Sequence, residues 1–80
     1  MIDHDSDVPV YQQLAAILRA KIESGELAAR RPIPSIRTLQ QTYGVADGTI
    51  QKAIQLLRDE GLVRTVVGRG VYVTPPEDRP

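Results

Sequence analysis

No cysteine occurs in the 80 residues, and His4 is the one histidine. A disulfide framework and a Cys/His zinc site are therefore both excluded, and the cysteine-free composition suits a reducing cytoplasm. Phenylalanine and tryptophan are absent too, leaving Tyr11, Tyr43 and Tyr72 as the aromatics. The core must come from aliphatic side chains, in a chain near the smallest size that folds without covalent staples or metal. No apolar run approaches the ~20 residues of a membrane span, and the acidic N-terminus is unlike a secretory signal. A cytoplasmic chain with no membrane association is expected. Nor is there an excess of charge, with ten basic and ten acidic residues. The even total hides an asymmetry. Residues 9–74 hold nine basic and five acidic side chains, a net of +4, because Asp3, Asp5, Asp7, Glu77 and Asp78 lie in the two ends. Local charge sets the field at a binding face, so a polyanionic partner is permitted but not demanded.

What is there is patterned. Residues 1–8 lack apolar periodicity and read as a flexible leader. Tyr11, Leu14, Ile17, Leu18 and Ile22 are spaced three and four apart, the stripe of a half-buried helix from Pro9 to Ser24. Asp7 is its expected cap, Pro9 fits the first turn, and Gly25 ends it. Residues 26–34 hold two prolines and cannot be helical throughout, although Ile33 can pair as a short edge strand. Ser35 is placed to cap a second helix with Ile36, Leu39 and Tyr43 inward and Gly44 as its stop. A third helix is expected from about Asp47 to Glu60, with Ile50, Ala53, Ile54 and Leu57 inward and Gly61 as its end. Asp47 suits its start as a cap and as an anion on the helix dipole.

Beyond Gly61 the pattern turns β-branched. Residues 62–67 and 71–74 flank Gly68-Arg69-Gly70 and read as a β-hairpin. Pro75 and Pro76 then start a tail or linker over 75–80. The fold class is α+β, mainly α: a winged helix-turn-helix over 9–74, with three helices, a two-stranded wing and a short extra strand near Ile33. Such a unit can present its third helix to a DNA major groove.

If the apolar stripe of the third helix faces inward, Gly48, Lys52 and Gln55 point away from it at 100° per residue, with Thr49 and Gln51 beside them. Glutamine can bond bidentately to adenine, and a threonine methyl can touch thymine. Gly48 permits close approach of helix amides to a phosphate. An ordinary solvated helix face has a similar composition, so the weight comes from the three-helix context. Ser35 and Arg37, at the start of the second helix, are candidates for phosphate contacts. Arg69, between two glycines at the wing tip, is placed to enter a minor groove or clamp phosphates; a turn with an incidental cation is the plainer alternative. Arg64 is a weaker phosphate candidate, and Arg30 and Arg31 are ambiguous.

Catalysis has little support. His4 lies in the leader with no group to orient it, and a Ser-His-Asp triad needs a rigid scaffold. Gly68 and Gly70 are too few for a nucleotide-phosphate cradle. No enzyme activity and no cofactor or metal are expected. The competing class is a winged helix that docks on protein. It would require apolar anchors where Gln51, Lys52 and Gln55 stand, with Leu56 at the margin.

Taken together, several segments resemble the DNA-binding domain of the GntR family. They are Tyr11 to Leu14, Ile22 to Leu27, Ile33-Pro34-Ser35-Ile36-Arg37-Thr38-Leu39, Tyr43-Gly44-Val45, Thr49 to Ala53, Leu57 to Val63, and Gly68 to Val73. The resemblance covers residues 10–74 in the family's order. It implies a bacterial transcription regulator, usually a repressor, that binds operator DNA through the third helix and wing. Carried over by position, Ser35, Arg37, Thr49, Gln51, Lys52, Arg69 and Gly70 are its DNA contacts; Gly48 and Gln55 are added from the helix face. Ile36 replaces a common glutamate, and Ala46-Asp47 replaces Ser-Arg at the third helix start, so an operator sequence does not transfer. Family members normally carry a further domain that binds an effector and dimerises. An excised domain and a small stand-alone regulator both fit, and in the second case either a homodimer on DNA or a helper protein is expected.

Overall fold

Leu14, Ala15, Leu18 and Ile22 recur at helical spacing, and all four are buried on one face of helix α1, Val10–Glu23. The computed structural model describes residues 2–80. Ser35 starts α2, Ile36–Tyr43: its Oγ accepts from the Thr38 amide at 3.1 Å and its hydroxyl donates to Thr38 Oγ1 at 2.9 Å. Gly44 closes α2 in the left-handed region at φ 65°, which a side chain would disfavour. Helix α3, Asp47–Asp59, buries Ile50, Ala53, Ile54 and Leu57, the expected stripe. It lies mainly against α1 and also contacts α2.

Strands β1, Val63–Val66, and β2, Gly70–Val73, pair antiparallel with Val63 opposite Val73 and Val66 opposite Gly70. The connection is a tight turn in which the Arg69 amide donates to Val66 O at 2.9 Å. Gly68 has φ 77°, the positive value that the third residue of a type II turn requires. Val63 and Val73 face inward and complete the aliphatic core with Ile33, Leu39 and Val45.

The expected extra strand is present and longer in effect than a single residue. Pro32 bridges Tyr72, the Arg30 amide donates to Val73 O, the Val73 amide to Arg31 O, and the Ile33 amide to Val71 O. Residues 30–33 thereby pair along the free edge of β2 and leave it no open side there. This ladder carries the chain toward the tip end of β2, so that Ser35, the N-cap of the next helix, lines one cleft with Arg69 and Gly70 of the wing.

Two local expectations are corrected. Asp7 does not cap α1; Pro9 occupies the N-cap position and no side chain caps the helix. Asp47 does not cap α3 either: Ala46 holds the N-cap, and Asp47 is the first helical residue, one position too late to reach back to the free amides. Its carboxylate is left with the helix dipole and the Gln51 amide. Residues of the leader contact α1. Gln13 Oε1 accepts from the Asp3 amide at 2.7 Å, and Gln13 Nε2 donates to Asp3 O and Val8 O at 2.8 Å. Ile2 packs against the core.

The tail also folds back. Pro75 is buried, and residues Pro76–Asp78 make a 3-10 turn. Arg79 Nε donates to Thr74 O. Glu77 and Asp78 reach Arg30 and Arg64 at 2.9 and 3.3 Å.

Candidate nucleic-acid interface

Where α3, the start of α2 and the wing converge they leave a cleft of about 470 Å³. Its walls are Pro32 to Ile36, then Gln51, Ile54 and Arg58 of α3, then Arg69, Gly70 and Val71 of the wing. Four residues named from the sequence meet in it: Ser35, Gln51, Arg69 and Gly70. No carboxylate lines it. Gln51 and Arg69 are exposed, so a bound strand can reach both without unfolding anything.

The other candidates lie outside the cleft. Arg37 is exposed on α2, and Gly48 and Thr49 sit in the first turn of α3, exposed and half-buried respectively. A Cβ added at Gly48 would meet nothing within 4 Å, so packing does not demand glycine there. Lys52 leans toward α1, its Nζ 5.7 Å from the centre of the Tyr11 ring, within cation–π range. Gln55 is engaged at both ends: its Nε2 donates to Asp59 Oδ1 at 2.8 Å and its Oε1 accepts from Arg58 NH1 at 2.8 Å. Reading a base with Gln55 requires breaking that chain. Gln51 is freer, its Nε2 donating weakly to Asp47 Oδ1 at 3.4 Å.

Arg58 is the cleft residue that sequence reasoning passed over. It stands seven positions after Gln51, nearly two full turns, so both fall on one stripe of α3. The signal existed in that spacing. It was missed because the face was taken as the one directly opposite the core, whereas the cleft opens along one flank.

Ion pairing sorts the ten cations. Arg19, Lys21, Arg30 and Arg64 are paired with Glu60, Glu26, Glu77 and Asp78. Among the described residues Arg31, Arg37, Lys52, Arg58, Arg69 and Arg79 have no carboxylate partner. The neutral total therefore coexists with a cationic cleft, whose walls carry Arg58 and Arg69 and no carboxylate. The acidic tail is part of this arrangement rather than electrically separate from it. The hydrogen bond from Arg19 raises its own pKa above the usual guanidinium value and holds the Glu60 carboxyl below the usual range. No group of three or more metal-ligating side chains occurs among the described residues, and no described helix is long and apolar enough to cross a membrane.

Three helices, a glycine turn between the second and third, and a hairpin flanking a cationic cleft define a winged helix-turn-helix domain. Residues 10–73 match the family model described as bacterial regulatory proteins, gntR family. The chain belongs to the GntR family. It is 34% identical over 76 residues to the HTH-type transcriptional repressor NagR of Bacillus subtilis, covering 95% of this chain and 31% of NagR. The chain thus spans about a third of that relative's length. Among solved structures, YtrA from Sulfolobus acidocaldarius, a GntR-family transcription factor, superposes with a TM-score of 0.83 at 37% identity, over 94% of this chain and 79% of that one. The AraR DNA-binding domain in complex with operator ORX1 superposes with a TM-score of 0.82 at 30% identity, over 92% of this chain and 93% of that one.

Proposed function

We propose that this domain is the operator-reading unit of a bacterial GntR-type repressor, binding double-stranded DNA in the cytoplasm with α3 in the major groove and the wing tip against the adjacent strand. The observation that carries the reading is the convergence of Ser35, Gln51, Arg69 and Gly70 on one carboxylate-free cleft. A duplex backbone is polyanionic, and counterion release on phosphate contact supplies the sequence-independent part of binding. Gln51, exposed and only loosely held, is the base reader, with Thr49 beside it. Ser35, Arg37, Lys52, Arg69 and Gly70 position the backbone, and Gly48 lets the start of α3 approach it. The relatives' names, a repressor and an operator-bound domain among them, support the same assignment. Docking on protein is not favoured, because Leu56, the marginal apolar candidate on α3, is half-buried and packs against the core.

One small reading head spans few base pairs, so two copies on neighbouring half-sites are expected to bind more tightly than one. Any effector is bound outside this unit. Selection of bound sequences from a random duplex pool tests the proposal and reports half-site symmetry together. Arg69→Ala is expected to weaken binding to every duplex, while Gln51→Ala relaxes preference at one position. A chain with no duplex affinity at low salt would overturn the reading.

A further inference from the structure

The guanidinium of Arg58 has no counter-ion. Its side chain is half-buried, and its Nε is the one buried side-chain nitrogen or oxygen without a hydrogen-bond partner among the described residues. The adjoining carboxylates are committed elsewhere: Asp59 accepts from Gln55, and Glu60 accepts two bonds from Arg19 at 2.7 and 2.6 Å. Its one side-chain partner is the neutral Gln55. On its other side Arg58 borders a groove that contains Asp78, but that carboxylate is bonded to Arg64. A half-buried charge with neither full hydration nor an ion partner is costly, and an arriving anion would offset that cost. Arg58 borders the cleft from α3 and Arg69 borders it from the wing, so the cleft carries guanidiniums from two different elements.

We propose that Arg58 binds a backbone phosphate of the duplex strand passing between α3 and the wing, and that Gln55 is a positioning residue that holds Arg58 rather than a base reader. The inference rests on the operator-reading function proposed above. A guanidinium suits the role because its fork can engage two phosphate oxygens at once. The Asp59–Gln55–Arg58 chain runs along one helix, so α3 itself orients the fork.

The test is duplex binding followed by fluorescence anisotropy across a salt series, with thermal melts confirming folding. Arg58→Gln is expected to lower the slope of log affinity against log salt by about 0.9, with the order of preferred sequences unchanged. Arg58→Lys, which keeps the charge, should restore the slope. Gln55→Ala should weaken all duplexes alike. A merely structural Arg58 would lower affinity without moving the slope, and that outcome overturns the inference while leaving the operator-reading function intact. Relaxed preference at one base pair in Gln55→Ala would overturn the positioning role. Absence of salt-dependent binding by the unaltered chain would remove the function itself, a different result from either.

Discussion

Glycine 48 separates stability from binding at a single residue. It sits in the first turn of α3 with an ordinary backbone and open space where a Cβ would stand. Alanine there gains helix propensity and constrains the unfolded chain, so Gly48→Ala should stabilise the domain by up to about 0.5–1 kcal/mol. On the proposed docking the added methyl would stand between the start of α3 and the DNA backbone, so duplex affinity should fall at the same time. A melting curve and a binding titration on one sample check the opposite signs; a stabilised variant with unchanged affinity would rule out close approach at this position. Gly44 behaves differently. Its positive φ makes any side chain strained, and no such gain is available there.

At the scale of elements, the joint between α1 and α3 combines aliphatic packing with one two-bonded ion pair, Arg19 to Glu60. The pair is about two-thirds covered, so its contribution is discounted for solvent screening to about 0.5–1 kcal/mol. Its pH dependence follows from the lowered pKa of Glu60. A carboxyl depressed in the folded state contributes fully above its unfolded value and loses that contribution as pH falls through its folded value. Glu60→Gln should therefore lower the urea midpoint at neutral pH. The gap between the two proteins should close as pH drops below about 4, near the unfolded value. A gap that persists into strong acid would point to packing rather than charge.

For the whole molecule, the folded-back tail matters most. Glu77 and Asp78 hold Arg30 and Arg64, so the domain balances cations that would otherwise add to its attraction for DNA. The double change Glu77→Gln with Asp78→Asn should raise affinity for non-specific duplex at low salt. Both pairs are exposed, so the gain should vanish near physiological ionic strength, where charges beyond about 8 Å are screened. Titrations with one mixed-sequence duplex at two salt concentrations check this; equal affinities at low salt would show that these arginines lie outside the field felt by the DNA.

The sequence by itself determined the elements and their order. Ile50, Ala53, Ile54 and Leu57 have to be buried together once they recur at helical spacing, and Gly44 and Gly61 stop helices because other residues resist a positive φ. The β-branched run around Gly68 and Gly70 leaves little choice but a hairpin. Capping was less legible, since Asp7 and Asp47 have the right chemistry but sit one or two positions from where the chain enters each helix. The cleft was decided only by tertiary structure. It depends on residues 30–33 pairing with β2, which brings Ser35 to the cleft that Gly70 also lines, and on which flank of α3 the wing covers. No local pattern encodes that flank, because it follows from how α1 and α3 pack and from where β1 leaves the end of α3. For the same reason Arg58 lines the cleft while Gln55 does not: periodicity ranks side chains by distance from the core, whereas a cleft depends on which neighbours close around them.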